Sequence, residues 1–494
     1  MDLDPDVAYQ ALANRDAHFD GRLFVGVTST RIYCRPICRV RTPSRRNCRF
    51  FETAVAAEGA GFRPCLKCRP EIAPGRTLPW TLMDASRTLA LQAAQAFDAG
   101  LDDAGEVPTV AAVAARLGVS DRHLRRIFRA EHGVGPLQYV QTRRLLLAKH
   151  LLTDTPLTMA QVALASGFRS LRRFNAAVAT SYRMTPQRLR RSGVARVEPA
   201  RLDSALTLTL AYRVPYDDTS LLRFFARRAL VGVERVDADG VRRSLAAGIF
   251  GPEPGWIEAR IDTARAEVRV RFAPSLAPAS RRVVDATRRW FDLDASPATI
   301  EAALVGLPGP PGLRLPGCID AFEMAARTVL GQQVTVVAAR TLAARLVRRF
   351  GTPVVTPWPD IDRAFPTPAS LAGTEPASMA ELGIVGTRAA ALGALARDWP
   401  ALVPLMRPGA SPSVLIERLC RIRGIGAWTA HAITMRGLGW SDAYPPGDVA
   451  VLRALQQGRC GVASARDAEQ LARTWQPWRS YAVLRLWNTQ GEPA

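Results

Sequence analysis

Residues 417–453 read ERLCRIRGIGAWTAHAITMRGLGWSDAYPPGDVAVLR, and this stretch decides the fold of the carboxyl-terminal half. Gly424 and Gly426 bracket a turn, which implies a positive φ or close approach to another backbone. A helix is predicted to open at Ala427, and a glycine turn before a helix aims backbone N–H groups outward. The pattern therefore predicts an anion site suited to a phosphate.

An isolated acidic residue follows this hairpin. The loop at residues 444–447 is rich in proline and glycine, and an apolar helical pattern resumes directly after Asp448. An aspartate at a helix start is a common N-cap. The spacing alone favours that structural interpretation.

The two features together are more specific than either alone. The pattern L-x-x-I-x-G-I-G-x-W-T-A, followed about twenty residues later by the Pro/Gly loop and Asp448, resembles the helix-hairpin-helix, Gly/Pro-Asp superfamily of DNA glycosylases. The resemblance implies that the hairpin, with a bound monovalent cation, grips one DNA phosphate and that Asp448 faces a flipped nucleotide. Asp448 would then stabilise positive charge on the deoxyribose during loss of the base and help to orient water.

The charge of the chain favours a nucleic acid as its partner. Over 494 residues the formal net charge is +22, carried by arginine with only two lysines, Lys67 and Lys149. Such an excess suits double-stranded DNA. The length predicts roughly three domains. No apolar run reaches the ~18 residues of a membrane span and no signal pattern is present, so we expect a soluble, cytoplasmic protein without membrane contact.

Four cysteines form two close pairs in the amino-terminal segment. Cys34 and Cys38 are followed, after 26 intervening residues, by Cys65 and Cys68, whereas Cys48 fits neither pair. Two such pairs can hold four thiolates tetrahedrally around one Zn²⁺ ion. A segment this short is expected to need the metal to fold. On spacing alone a purely structural zinc site is the alternative, and the spacing does not choose among the four sulfurs.

The sequence around these pairs is more informative than their spacing. Residues 24–38 read FVGVTSTRIYCRPIC and residues 61–71 read GFRPCLKCRPE. Both resemble the zinc module of the bacterial Ada family, which moves the methyl group of a methylphosphotriester onto a zinc-bound cysteine. The resemblance implies that Cys34 is the acceptor and that the other three paired cysteines complete the zinc site. A zinc-held thiolate stays nucleophilic at neutral pH, and its methylation removes negative charge and should raise DNA affinity.

Residues 107–193 are predicted to be all-helical and to contain two similar units. Gly118 in the first unit and Gly167 in the second each separate an apolar helix from a basic one. Each unit fits a helix-turn-helix whose second helix can enter a major groove. The outward cations of the second helices are the candidate DNA-binding residues Arg122, Arg125, Arg126, Arg172 and Arg173.

Short motifs close both helical units. Residues 135–139 read GPLQY and residues 184–186 read MTP, and with the paired units they resemble the AraC-type DNA-binding domain that follows the zinc module in Ada-family regulators. The resemblance implies a transcriptional activator that binds an operator and contacts RNA polymerase. One departure is Arg183, which stands where a helix-ending glycine is usual. We expect this arginine to cost some stability.

The pattern changes to strand-like alternation between residues 205 and 280. Alternating stretches at residues 206–210, 231–236 and 266–272 surround a helical stretch near residues 220–230, which predicts an α+β subdomain. From residue 281 to the end the chain is predicted to be helical. Pro215-Tyr216-Asp217 and the motifs LGQQV and WRSYAVLRLW resemble AlkA-type 3-methyladenine DNA glycosylase II.

The AlkA resemblance also implies a base pocket. Trp428, Trp487 and Phe224 would converge beside the catalytic acid and favour electron-poor, N-alkylated purines by stacking and cation–π attraction. Each aromatic residue taken alone is more often core packing. Gln333 falls where the family wedges an apolar side chain into the duplex, so the wedge would be polar here. Ala432 falls where the family has a pocket aromatic, which leaves a roomier pocket.

The positions of the lysines indicate whether the predicted glycosylase can also cut the DNA strand. Glycosylases that also cut the strand use a lysine Schiff base. No lysine follows Lys149, and Trp428 occupies the relevant family position. We therefore expect a monofunctional enzyme that leaves an abasic site.

These features predict a multidomain monomer of the alkylation-damage response, which combines a stoichiometric methylphosphotriester-DNA methyltransferase and activator with a 3-methyladenine-type glycosylase. The alternatives are a DNA-binding regulator with a non-catalytic glycosylase-like module and a glycosylase for oxidised bases. The expected divisions are a small zinc module (1–78), a connector (79–106), an all-α double helix-turn-helix domain (107–193), a linker (194–204), an α+β subdomain (205–280) and an all-α helix-hairpin-helix glycosylase domain (281–494).

Overall fold

The computed structural model describes residues 4–75, 85–102, 107–192, 205–407, 410–458 and 462–489. The predicted multidomain architecture is confirmed, with small sheets and many helices. The predicted linker at residues 194–204 lies outside the described residues, as do both ends of the predicted connector. The chain divides into two compact units, Met1–Val214 with Thr263–Val284 and Leu293–Ser296, and Pro215–Asp262 with Asp285–Asp292 and Pro297–Ala494.

The amino-terminal segment of the first unit folds around a four-stranded sheet of order β3-β1-β2-β4. Strands β1 and β2 are antiparallel with Val25 opposite Cys34, and β2 and β4 are parallel with Tyr33 opposite Pro64. This register brings the end of β2 next to the end of β4, where the two cysteine pairs lie. The elements are α1 Pro5–Ala13, β1 Phe24–Val27, β2 Ile32–Cys34, β3 Cys48–Phe51, α2 Ala54–Gly59 and β4 Arg63–Pro64.

The next part of the first unit is helical and repeats one pattern twice. Gly118 and Gly167 have φ of 70° and 82°, and the helix that follows each turn starts with a serine N-cap, Ser120 or Ser170. Hydroxyl caps satisfy backbone N–H groups that the first helical turn leaves without partners. The helices are α3 Ala85–Asp102, α4 Val110–Arg116, α5 Asp121–His132, α6 Pro136–Asp154, α7 Met159–Ala165, α8 Leu171–Tyr182 and α9 Pro186–Arg191.

The next part of the chain contains five strands and one helix. In the first unit β5 pairs antiparallel with β9, and in the second unit β6, β7 and β8 form an antiparallel meander. The strand expected at residues 231–236 begins only at Glu234. Strands β7 and β8 were not predicted. In β7 the adjacent Arg242 and Arg243 interrupt the alternation of apolar and polar residues. The elements are β5 Leu206–Ala211, α10 Asp218–Arg228, β6 Glu234–Asp237, β7 Gly240–Leu245, β8 Gly255–Asp262 and β9 Glu267–Phe272.

The described residues after 280 contain helices and only one pair of two-residue strands, which the prediction of an entirely helical segment missed. A buried apolar cluster unites α13, α14, α17, α18 and α19. None of the helices among the described residues is long and apolar enough to cross a membrane. The elements are α11 Ser280–Trp290, α12 Pro297–Ala303, α13 Ala321–Leu330, α14 Val336–Phe350, β10 Thr352–Pro353, β11 Arg363–Ala364, α15 Pro368–Ala372, α16 Pro376–Ala380, α17 Gly386–Leu402, α18 Pro412–Cys420, α19 Ala427–Leu438, α20 Val449–Gln457, α21 Ala465–Ala472 and α22 Arg479–Thr489.

Candidate active site and metal centre

Asp448 lies at the start of α20 in the second unit. Its Oδ1 accepts a hydrogen bond from the backbone N–H of Val451 at 2.8 Å, so the carboxylate is the N-cap of that helix. Only 7% of the residue is exposed. Gly447, directly before it, has a φ of 68°, a conformation that glycine adopts without strain.

Two tryptophan side chains hold the same carboxylate. Trp428 Nε1, near the start of α19, donates to Asp448 Oδ2 at 2.7 Å. Trp487 Nε1, near the end of α22, donates to Asp448 Oδ1 at 3.2 Å. Hydrogen bonds to an ionised acceptor are stronger than neutral ones. The N-cap role is therefore only one part of the environment of Asp448, because its carboxylate is also fixed against two indole rings.

These rings line a cavity of about 180 Å³. Phe224 on α10 and Ala432 on α19 line it as well, so the structure brings together the three aromatic residues that the sequence singled out. Ala432 follows Trp428 by one helical turn, so the two residues lie on the same face of α19, and both line the cavity. The arrangement offers a concave, largely aromatic chamber next to a fixed carboxylate.

Sequence reasoning missed the cations of this cavity. Arg228, Arg327, Arg340 and Arg436 all contribute to its lining. The guanidinium carbons of Arg228 and Arg436 lie 3.8 and 5.0 Å from the centroid of the Phe224 ring. Phe224 was expected to attract a cationic base, but its ring already makes two cation–π contacts within the protein.

The hairpin geometry agrees with the sequence at one glycine and differs at the other. Gly424 has a φ of 93°, and a Cβ built there would lie 2.8 Å from the Cβ of Ala391. Gly426 has a φ of −87°, and a Cβ there would meet nothing within 4 Å. The positive φ expected of this turn is therefore found at Gly424, whereas Gly426 has neither a positive φ nor a close neighbour and is the exposed N-cap of α19 without a side-chain cap.

Two glutamines after α13 have different surroundings. Gln333, the expected wedge, is exposed and has a φ of 53° between the cavity-lining residues Gly331 and Val334. Gln332 Nε2 instead donates to the carbonyl oxygen of Gly424 at 2.9 Å and to Thr429 Oγ1 at 3.0 Å. These hydrogen bonds join the loop after α13 to the hairpin, and no periodicity or spacing in the sequence predicts them.

The four paired cysteines meet in the first unit. Their sulfur atoms all lie within 4.8 Å of one another. Zn–S bonds of about 2.3 Å in a tetrahedral shell require sulfur atoms roughly 3.8 Å apart, so these residues fit one Zn²⁺ ion. Cys34, Cys38 and Cys65 are buried. Cys48 packs elsewhere, against an apolar cluster that includes Leu12 and Val25, as its exclusion from the pairs implied.

A buried ion pair supports this centre. Arg35 donates its backbone N–H to Cys68 Sγ at 3.3 Å and its Nη1 to the Cys68 carbonyl at 3.1 Å. Its side chain also pairs with Asp20, and both residues are almost fully buried. Donors to a metal-bound sulfur stabilise its thiolate form and orient it.

The candidate DNA-binding arginines lie on the two basic helices α5 and α8, and all five are exposed. Arg125 is paired with Asp121 one turn earlier in its helix. Buried apolar side chains, Leu124 and Phe128 in α5 and Phe174 and Val178 in α8, anchor the opposite faces. Each helix therefore presents a cationic face to solvent.

Comparisons with known proteins agree with these features. Family models match the metal binding domain of Ada at residues 7–71, a helix-turn-helix domain at 113–192, the AlkA N-terminal domain at 207–320 and the HhH-GPD superfamily of base excision DNA repair proteins at 326–480. The fold and the two sites thus define an Ada-type metal-binding and helix-turn-helix protein joined to a base-excision glycosylase fold.

Curated relatives narrow this class. A probable bifunctional transcriptional activator/DNA repair enzyme AlkA of Mycobacterium tuberculosis is 35% identical over 507 residues, covering 100% of this chain and 98% of the relative. The DNA-3-methyladenine glycosylase 2 of Escherichia coli is 36% identical over 57% of this chain and 97% of its own length. The Ada protein of Escherichia coli is 34% identical over 29% of this chain and 37% of its own length. The chain belongs to the family of bifunctional AlkA-type transcriptional activator/DNA repair proteins.

Proposed function

We propose that the second unit is a monofunctional DNA glycosylase that excises N-alkylated purines such as 3-methyladenine from double-stranded DNA. The observation that carries this proposal is the Asp448 carboxylate, which two tryptophan N–H groups hold beside an aromatic cavity. Membership of the family and the similarity to a 3-methyladenine glycosylase support it.

The chemistry assigned to Asp448 is electrostatic. A flipped nucleotide would place its base in the cavity and its deoxyribose against the carboxylate. As the bond between C1′ and the base nitrogen breaks, the electron pair leaves with the base and positive charge develops on the sugar. A fixed carboxylate stabilises that charge without reorganising. Water then adds its oxygen to C1′ and loses a proton.

Strand cleavage is not part of the proposal. It would need an amine nucleophile, and the cations that line the described cavity are all arginines. A guanidinium stays protonated and is a poor nucleophile. The product is therefore an abasic site in an intact strand.

The hairpin is assigned to the DNA backbone. The exposed N-terminus of α19 at Gly426 offers backbone N–H groups without side-chain caps, which suits a phosphate oxygen. Gln333 is assigned to the gap left by the flipped nucleotide. A monovalent cation at the hairpin carbonyls would add to phosphate binding.

In the first unit we propose a zinc-dependent methyl acceptor at Cys34. The four cysteines would hold a Zn²⁺ ion, which would keep the Cys34 sulfur in its reactive thiolate form. Attack of Cys34 Sγ on the methyl carbon of a methylphosphotriester breaks the carbon–oxygen bond, and the phosphodiester regains its negative charge. The site loses one negative charge, which increases its affinity for DNA.

The helix-turn-helix region, proposed to span residues 107–193, would then hold an operator through Arg122, Arg125, Arg126, Arg172 and Arg173 and recruit RNA polymerase as a monomer. For the other parts of the chain we propose the domain limits inferred from the sequence: a zinc module at 1–78, an α+β subdomain at 205–280 and a glycosylase domain at 281–494, with a connector at 79–106 and a linker at 194–204.

The glycosylase proposal is tested with methylated DNA. Wild-type protein should release methylated purines, and Asp448→Asn, which keeps the shape of the N-cap, should release them at least about 100-fold more slowly. Asp217→Asn is the matched control, since Asp217 is also an N-cap carboxylate of the second unit and accepts from Ser220 N–H at 3.0 Å. Absence of base release by the wild type would favour a non-catalytic regulator. Release of oxidised purines alone would favour the other alternative.

A further inference from the structure

Arg436 differs from Arg327, a second arginine of the same cavity, in how its charge is balanced. Arg327 donates to Glu234 at 2.8 Å and to Glu323 at 2.7 Å, so carboxylates inside the protein neutralise its charge. Among the described residues Arg436 has no carboxylate partner, and its one hydrogen bond from the side chain runs from Nε to the carbonyl of Pro316 at 3.1 Å. Its terminal N–H donors therefore have no acceptor within the described protein.

The helix that carries Arg436 aims it at the cavity. Trp428, Ala432 and Arg436 are spaced four residues apart on α19, which places them on one face, and all three line the cavity. Ala432 stands between the other two and contributes only a methyl group. A larger side chain there would separate the space beside Trp428 from the guanidinium.

Arg436 remains a cation in this place. Burial, followed by the neighbouring Arg228, lowers the pKa of Arg436 to about 10, which leaves it protonated at neutral pH. A base that displaces water from this guanidinium without supplying an acceptor leaves a charged donor without a partner, which is costly. A ligand that supplies an acceptor at this position therefore gains more than one that does not.

We propose that Arg436 is a specificity-determining residue that donates to a carbonyl oxygen on the edge of the flipped base. The inference rests on the glycosylase function proposed above and deepens it. This contact raises the release of alkylated bases with a ring carbonyl at that edge, such as 7-methylguanine, relative to alkylated adenines, which present an amino group there. An amino group would face the guanidinium donor to donor, and both would lose hydrogen bonds.

The comparison of these two bases separates hydrogen bonding from charge. Alkylation at N7 of guanine and at N3 of adenine both give cationic nucleosides, so repulsion by the arginines acts on both. What differs is the acceptor or donor at the edge. The ratio of the two release rates therefore reports on the contact with Arg436.

The test uses full-length protein and DNA that carries both lesions. In Arg436→Met, which keeps much of the side-chain volume, the ratio of the 7-methylguanine rate to the 3-methyladenine rate should fall about tenfold or more. Ala432→Phe should shift the ratio in the same direction while Arg436 is still present, because the ring screens it. This second variant decides the question if the first fails to fold.

The two proposals fail in different ways. An active wild type whose ratio stays within twofold in both variants would overturn the role of Arg436 and leave the glycosylase function standing. A wild type that releases neither base would overturn the glycosylase function and this inference with it.

Discussion

The cysteine centre and the Asp448 cavity are built in opposite ways. The four cysteines lie within residues 34–68, and two adjacent strand ends bring them together. The cavity draws Phe224, Trp428 and Trp487 from three helices far apart in the sequence. A site of four adjacent thiolates depends on a metal to neutralise them, whereas a site drawn from distant helices depends on the packing of the whole unit. The two sites should therefore respond differently to the same kinds of change.

Removal of the metal is expected to have the largest effect. Chelation of zinc, or Cys38→Ser, should abolish methyl transfer to Cys34 and unfold the amino-terminal segment, because its thiolates would repel one another without the ion. Base release should change less than about twofold. Methyl transfer followed by mass spectrometry and release of radiolabelled bases measure the two activities. Equal loss of both activities would contradict the contrast between the sites.

Loss of one indole donor should have the next largest effect. Trp428→Phe keeps an aromatic ring but removes the 2.7 Å hydrogen bond to Asp448, and the single-turnover rate of base release should fall about tenfold or more. Trp487→Phe removes a longer bond of 3.2 Å and should cost less. Trp358→Phe is the control, because Trp358 packs against Trp256 and does not contact Asp448. Equal rates in all three variants would remove the positioning role of the indoles.

The two hairpin glycines separate folding from DNA binding. Gly424→Ala should lower the free energy of unfolding by about 1–3 kcal/mol, since it combines a positive φ with a 2.8 Å clash. Gly426→Ala should leave stability within about 0.5 kcal/mol, because its Cβ meets nothing in the protein. Its DNA affinity should fall if a phosphate approaches there. Chemical denaturation and DNA titration give both quantities.

The smallest expected effect concerns the two helix-turn-helix units. Gly133 ends α5 with a φ of 74°, and Arg183 ends α8 in the same left-handed conformation with a φ of 54°. Arg183→Gly should raise the free energy of unfolding by about 0.5–1 kcal/mol, and Gly133→Ala should lower it by a similar amount. A destabilised Arg183→Gly variant would show that the arginine makes a contact that outweighs its backbone cost.

The features that could be predicted from the sequence are the short-range ones, and those that could not are long-range. The cysteine pairs, the glycine turns and the N-cap at Asp448 are local patterns, and a local pattern needs no knowledge of tertiary packing. The hydrogen bonds from Trp428 and Trp487 and the tie from Gln332 to Gly424 join residues distant in the chain, so no periodicity encodes them.

One missed feature did have a signal. Arg436 follows Trp428 by eight residues in a predicted helix, which puts both on one face. Composition does not single out this residue, because the chain contains 66 lysines and arginines. Burial against Phe224, which the sequence does not give, is what distinguishes it.

The most direct test inactivates each of the two sites separately and measures both activities in each variant. Asp448→Asn and Cys34→Ser are each assayed for base release and for methyl transfer on the same damaged DNA, with Asp217→Asn as the N-cap control. Asp448→Asn should lose base release by at least about 100-fold and keep methyl transfer, and Cys34→Ser should show the reverse. An Asp448→Asn protein that releases alkylated bases within threefold of the wild-type rate would contradict the central role of that carboxylate.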